Sequence, residues 1–272
     1  MSASAETSDT STVSPFEIIT TIGVLKPFIE EALTLVDEAK MFVEENSLQI
    51  READAANVGM VDASLDTSVF ESYNGESHQD LVLGIDLEQF SDVLSQGDHN
   101  DTIHLVLDPE TRKLTASFND SLEFTMALLD PDTIRSSPDL PDMDLNGRAE
   151  LKGRQLNRAI RAADMVSDYL QIGFPDTSDE LYFHAEGDTD DMHLDLSEDD
   201  EGIEEVSRDV EEMYAIYSLD YLKDLKANMG PRDDITLLLG DDFPVKFHVD
   251  KPDNDALDIT YMLAPRIEDS NT

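Results

Sequence analysis

Cysteine is absent from this 272-residue sequence. Its absence excludes disulfides, thiolate metal sites and a cysteine nucleophile. Tryptophan is absent as well, and basic residues are scarce: 18 Lys plus Arg stand against 62 Asp plus Glu, a net charge of −44. No apolar run approaches the roughly 18 residues that would span a membrane, and no signal peptide opens the chain. A soluble, intracellular protein is therefore expected. The histidines His78, His99, His104, His184, His193 and His248 lack metal-ligand spacing such as HxxxH. Glycine-rich phosphate loops and nucleophile elbows are missing too.

What is present is a globular composition with an extreme charge. The hydrophobic fraction is 40%, close to that of folded domains and too high for a disordered acidic chain. In dilute buffer such a charge density repels itself and penalises compaction. At molar salt the Debye length falls to about 3 Å, and most of that repulsion is screened. The acidic residues run along the whole chain and form no single tail, which points to a protein of concentrated salt.

The length allows one large domain or two ordinary ones, and comparison of the halves favours two. LGIDLEQFSDVLSQGDHNDTIHLVLD from Leu83 parallels YSLDYLKDLKANMGPRDDITLLLG from Tyr217. Each reads as a short strand, Asp86 or Asp220 near a helix start, an amphipathic helix, a turn with glycine and an apolar strand. The offset is about 132–134 residues. FTMALLDPDTI (124–134) parallels ITYMLAPRIED (259–269), and the helical spacing from Leu25 has a counterpart from Leu156. Two copies of a unit with two short helices among many short strands predict an α+β fold with antiparallel sheets. The expected boundaries are a tail at 1–14, a first domain at 15–129, a connector at 130–146, a second domain at 147–269 and a C-terminal tail at 270–272. Three prolines, Ser136-Ser137 and several aspartates mark 130–147 as an exposed, extended connector.

The ordered set ADAANVGMVDASL (53–65), LGIDLEQFSDVL (83–94), DTIHLVLD (101–108), AADMVSD (162–168), HAEGDTDD (184–191), YSLDYLKD (217–224) and ITYMLAPRIED (259–269) resembles the archaeal and eukaryotic sliding clamps, the proliferating cell nuclear antigen family. The resemblance is strongest to its versions from salt-loving archaea, and covers residues 16 to 269. It implies a DNA polymerase processivity factor that catalyses nothing: a head-to-tail homotrimeric ring around duplex DNA, with helices lining the hole and sheets outside. The strand near Ser121–Leu129 would pair with the one near Asp191–Glu198 of the next subunit, satisfying two open sheet edges. The implied partners are DNA polymerase, flap nuclease, ligase and an ATP-driven clamp loader, bound through short peptide motifs. No cofactor or metal is implied, and the expected place of work is the cytoplasm of an archaeal cell or of a cell infected by its virus.

The few cations carry information by their placement. Arg154 and Arg158 are spaced i,i+4, Arg158 and Arg161 i,i+3, and Lys223 and Lys226 i,i+3, so each pair shares a helical face. Lys26 stands at the start of the first helix. On residue pattern alone these are ordinary solvated charges; the resemblance places them on the hole-lining helices as DNA contacts. Two departures are visible. The helix with Glu88, Asp92 and Ser95 carries no base, and Pro27 replaces a commonly basic position, which predicts an uneven grip stronger in the second domain. The resemblance also implies an outer hydrophobic pocket for partner peptides: Ala53, Asn57 and Met60; Ile134, Leu140 and Pro141; Pro244, Met262, Ala264 and Pro265. Flexible methionines suit a site that accepts several partners. Taken singly, Met60 and Met262 read as core. The connector is slightly longer than in the human-type pattern.

Other signals are set aside. DMDLNG places Asp142, Asp144, Asn146 and Gly147 like the start of a calcium loop, but Gly153 stands where a bidentate glutamate is required. Asp188, Asp190 and Asp191 read as a solvated turn. The alternatives to a homotrimeric clamp are a subunit of a checkpoint-type heterotrimer and an acidic, metal-dependent nuclease.

Overall fold

A computed structural model describes residues 16–75, 81–119, 121–136, 143–209 and 212–266. The first half runs β1 (Glu17–Thr21), α1 (Ile22–Leu33), β2 (Glu38–Val43), β3 (Ser47–Ala53), β4 (Gly59–Asp66), β5 (Ser72–Asn74), β6 (Leu81–Asp86), α2 (Leu87–Leu94), β7 (Thr102–Asp108), β8 (Lys113–Phe118) and β9 (Leu122–Ala127). The second runs β10 (Gly147–Lys152), α3 (Gly153–Ala163), β11 (Tyr169–Phe174), β12 (Leu181–Glu186), β13 (Asp191–Leu196), β14 (Ile203–Arg208), β15 (Met213–Ser218), α4 (Leu219–Asn228), β16 (Asp234–Leu239), β17 (Val245–Asp250) and β18 (Leu257–Leu263). Each half places one helix after its first strand and another ahead of its last three strands.

The strands alternate because one face meets the core. β16 buries every second residue, Ile235, Leu237 and Leu239, and β3 buries Leu48 and Ile50 in the same way, with Glu52 at its third buried position. The sheets are antiparallel: five strands ordered β5-β1-β7-β8-β9, nine ordered β14-β10-β16-β17-β18-β4-β3-β2-β6, and four ordered β13-β12-β11-β15. The nine-stranded sheet joins the halves through β18 and β4, with Tyr261 opposite Val61 and Met262 opposite Met60. Helices cover the inner faces: Phe28 and Ile29 of α1, Phe90 of α2, Leu156 and Ile160 of α3 and Leu222 of α4 sink into one continuous core. This is helix segregated to one side of antiparallel sheet, the α+β arrangement. No described helix is long and apolar enough to cross a membrane.

The sheet ends bear on assembly. β9 ends the five-stranded sheet and β13 the four-stranded one, so each has a single neighbour among the described residues. β9 is exposed along most of its length, and β13 at every second residue, Asp191, His193 and Asp195.

One expectation needs correction. Lys26 does not stand at the start of the first helix: α1 begins at Ile22, placing Lys26 a turn inside and Pro27 within the helix. The start was obscured because Thr21 makes no side-chain cap. The first helical N–H groups are instead satisfied from a distant loop, Ile22 donating to Asp101 and Gly23 to His99 at 3.0 and 2.8 Å. Most described connector residues are exposed, with Ile134 buried at 7% exposure.

Candidate nucleic-acid interface and partner groove

The helices form one layer on the inner side. α1 packs on α2 and α3 on α4. Asn228 at the end of α4 bridges to α1, its amide donating to the Glu30 carbonyl at 2.9 Å and to Thr34 Oγ1 at 2.6 Å. Glu30, Leu33 and Thr34 of the α1 end, Ser91 of α2, and Asp224 and Asn228 of α4 line a shared groove.

α3 reads GRQLNRAIRAA, with Leu156, Ala159, Ile160 and Ala163 buried and Arg154, Arg158 and Arg161 exposed on the opposite face. Its first residue must be glycine, because a Cβ on Gly153 would fall 2.1 Å from the Gly230 carbonyl oxygen. The Gly153 N–H then donates to Asp233 O at 2.8 Å and the Arg154 N–H to Pro231 O at 3.2 Å. On α4, Leu219, Leu222 and Leu225 are buried, leaving Lys223 and Lys226 half exposed.

The candidate cations divide into two groups. Lys26 pairs with Glu30 at 3.6 Å, Arg154 with Glu201 at 3.0 Å, and Lys223 with Asp220 at 2.9 Å and Asp164 at 3.0 Å. Hydrogen bonds to Asp220 and Asp164 hold the Lys223 ammonium above its ordinary pKa. Arg158, Arg161 and Lys226 make no ion pair among the described residues. α2 is capped by Asp86, which accepts from the Gln89 N–H at 2.8 Å, and it exposes Glu88, Asp92 and Ser95 with no base.

On the outer face, Ala53 lies opposite Met60, and Met60 opposite Met262, across β3, β4 and β18. Met60 and Met262 share that face with polar Asp62 and Thr260, yet they are 6% and 7% exposed. Together with Ile134 they are buried but stand apart from the continuous core. The loop from Asp54 to Val58 carries Asn57 at φ 55. Arg135 Nη1 reaches from the connector to the Ala55 carbonyl at 2.9 Å, and Lys40 Nζ meets Ser136 Oγ at 3.2 Å. The Ala264 N–H donates to Val58 O at 2.8 Å, fixing Ala264 and Pro265 beside the same loop. The next residue, Arg266, donates its N–H to Ile216 O at 2.7 Å and stacks its guanidinium 4.2 Å above the Tyr169 ring. Pro244 follows Phe243, whose carbonyl accepts from the Tyr217 hydroxyl at 2.8 Å. Leu140, Pro141 and Asp142 lie outside the described residues.

The residues that organise this loop were not singled out from sequence. Asp54 is 9% exposed and accepts from Ala56, Val58 and Gly59 N–H and from the Tyr221 hydroxyl, at 2.9, 2.7, 2.8 and 2.8 Å. Burial pushes its carboxyl up, but these bonds together outweigh burial and hold it below its ordinary value. An aspartate heading a short polar loop is a turn signal that could have found Asp54. Tyr221 offers none, being 167 positions away.

The other signals resolve as structure. Gly147 to Lys152 form β10 and Gly153 opens α3, so no loop continues from Asp144 and Asn146. Asp188 and Asp190 sit in the β12–β13 turn, where the Gly187 N–H donates to Asp190 O at 2.9 Å. His104 pairs with Glu17 and His193 with Asp195, each at 2.8 Å.

Comparison with known proteins gives the same family. Residues 17–134 match the family described as proliferating cell nuclear antigen, N-terminal domain. The DNA polymerase sliding clamp of Natronomonas pharaonis is 43% identical over 253 residues, covering 93% of this chain and 99% of that protein. That of Halobacterium salinarum is 42% identical over 254 residues, with coverage of 93% and 99%. Both relatives are haloarchaeal, in keeping with the acidic composition. Among solved structures, A. fulgidus PCNA bound to the C-terminal region of FEN-1 superposes with a TM-score of 0.82 at 29% identity, covering 94% of this chain and 100% of that one. PCNA from Thermococcus kodakaraensis gives 0.81 at 25% identity, with 92% and 100% covered. The chain belongs to the proliferating cell nuclear antigen family, the DNA polymerase sliding clamps.

Proposed function

We propose that copies of this chain close head to tail into a trimeric ring around duplex DNA, with the helix layer facing the hole. The open edges β9 and β13 would pair between copies and continue the outer wall, which removes both unpaired edges at once. On this reading 15–129 and 147–269 are the two clamp domains of each copy, 130–146 is the connector, and 1–14 and 270–272 are tails. The observation that carries the reading is the set of cations without carboxylate partners among the described residues, Arg158, Arg161 and Lys226, on the exposed faces of packed helices. They are the first-rank DNA contacts; Lys26, Arg154 and Lys223 must exchange a carboxylate for a phosphate. The contacts are to backbone, so binding has no sequence preference.

The groove of Ala53, Asn57, Met60, Ile134, Pro244, Met262, Ala264 and Pro265, extended by Leu140 and Pro141, would dock partner peptides. Its support is that Met60 and Met262, paired across β4 and β18, and Ile134 of the connector are buried yet stand apart from the continuous core. In a relative, A. fulgidus PCNA, the C-terminal region of FEN-1 is bound. DNA polymerase, flap nuclease, ligase and the clamp loader would use the same groove in turn. The chain itself tethers and performs no chemistry; the loader supplies ATP-driven opening. Its place of work is the cytoplasm, on DNA, in concentrated salt.

The test is Arg158→Glu combined with Arg161→Glu. Light scattering should still give the trimer mass, while polymerase processivity on a primed template falls several-fold, because phosphate attraction becomes repulsion. Unchanged processivity would refute the DNA-facing assignment.

A further inference from the structure

The loop from Asp54 to Val58 ties together parts of the candidate partner groove that lie far apart in sequence. Its Ala55 carbonyl receives Arg135 from the connector, and its Val58 carbonyl receives the Ala264 N–H from the C-terminal segment, at 2.9 and 2.8 Å. Whatever fixes this loop therefore fixes the spacing between connector and C-terminal segment. The loop has little packing of its own: Ala55, Ala56 and Asn57 are exposed, and Asn57 is held at positive φ. Its shape comes from the Asp54 carboxylate, which gathers the N–H groups of Ala56, Val58 and Gly59.

The remaining ligand of that carboxylate comes from the other half of the chain. Tyr221 on α4 donates its hydroxyl to Asp54 Oδ2 at 2.8 Å. Its ring lies against the end of the loop, where a Cβ on Gly59 would sit 3.3 Å from Tyr221 Cδ1. Burial and then Asp54 push the tyrosine hydroxyl up to about 12, so it remains a donor across the working range. The same helix carries Lys223 and Lys226 on the proposed DNA side.

We propose that Tyr221 is a positioning residue for partner docking: through Asp54 it fixes the loop that spaces the connector and the C-terminal segment, so a helix of the DNA side shapes the outer groove. The inference rests on the reading of that groove as the docking site. The competing explanation is that the hydrogen bond only fastens the two halves together, which would alter stability and leave peptide affinity alone.

The experiment measures binding of a synthetic peptide carrying the C-terminal region of a haloarchaeal FEN-1 to the full-length protein by calorimetry in molar KCl. Tyr221→Phe removes only the hydroxyl and should weaken the peptide roughly five- to ten-fold, a part of the full effect of one hydrogen bond to a charged group. Asp54→Asn should weaken it at least as much. The double variant should be no weaker than Asp54→Asn alone, because the hydroxyl acts through the carboxylate. Amide resonances of Ala56, Val58 and Gly59 should move in Tyr221→Phe, with the trimer mass unchanged. Ala264→Arg is the control for the groove itself and should abolish binding. Full affinity in Tyr221→Phe, with binding lost in Ala264→Arg, overturns the positioning role while leaving the groove. Additive losses in the double variant overturn it as well. Normal binding by Ala264→Arg removes the groove reading, and the inference falls with it.

Discussion

Glu31 is an acidic side chain in the interior, and its charge makes a quantitative prediction about how the halves hold together. It lies on α1 of the first half with 2% exposure. Its Oε1 is 2.7 Å from Lys251 Nζ, and its other oxygen accepts from the Tyr261 hydroxyl; both partners come from the second half. Lys251 also donates to Asn228 O at 2.6 Å and stands 3.8 Å from Asp233. Burial raises the Glu31 pKa above the ordinary 4.5, and Lys251 is the charge that opposes that rise most. Lys251→Met keeps the buried stem and removes the ammonium. Breaking one partner of a buried pair costs about 3–5 kcal/mol. The Lys251 side chain is 19% exposed, so the lower end, about 3 kcal/mol at pH 7, is expected.

The sign of the pH dependence follows from the raised pKa. Folded protein holds the Glu31 proton more tightly than unfolded chain does, so the group's contribution is fully present below 4.5 and lost as pH rises through the folded value. Lys251→Met lifts that folded value further. The deficit relative to the parent should therefore shrink on acidification from pH 7 to about pH 5, because a neutral Glu31 needs no counter-charge. Urea unfolding followed by circular dichroism, at fixed protein concentration in molar KCl, measures it with surface charges screened to about 3 Å. Adding Glu31→Gln should restore most of the loss. A deficit below about 1 kcal/mol, or one equal at both pH values, or one that Glu31→Gln does not relieve, would refute the argument.

Two further outcomes are expected. Asp86→Ala removes the α2 cap and should lower stability by about 1 kcal/mol in the same unfolding assay, with Asp86→Asn retaining most of it. The edge strands β9 and β13 carry Glu123, Asp191 and Asp195 but no Lys or Arg. Lowering KCl from molar to about 0.1 M, where the Debye length reaches about 10 Å, should therefore shift the mass seen by light scattering from trimer toward monomer.

Much of this architecture is local enough to read in the sequence. The α3 pattern separates its arginines from Leu156 and Ile160 by helical period alone. Asp86 announces the start of α2, and the internal duplication anticipates a repeated order of elements. What escaped notice depends on partners brought together only by folding. The start of α1 is fixed by carbonyls of Asp101 and His99. Tyr221 meets Asp54 across 167 positions, and Tyr261 meets Glu31 across 230. Taken singly, Met60 and Met262 look like core residues, and only the register of β4 against β18 shows that they share the outer face. The last three join the two halves and the first joins distant parts of one half, and no periodicity encodes any of them.

The scarcity of free cations decides how such a clamp must hold DNA. Of the six candidate contacts, Lys26, Arg154 and Lys223 already have carboxylate partners, leaving Arg158, Arg161 and Lys226 without one among the described residues of each copy. A trimer would then offer roughly nine ready cations, for a salt slope near −8 if all engaged at once. Affinity would fall by about eight decades for each tenfold rise in salt, so contact with phosphate alone cannot hold the ring at the concentrations that screen a net charge of −44. Recruiting the paired cations cannot compensate, because each must first leave a carboxylate. Retention on DNA must therefore come from enclosure, which ionic strength does not weaken. On the proposed reading, the arginines of α3 would keep the smaller task of centring the duplex, and their concentration in the second half would make that guidance uneven around the hole.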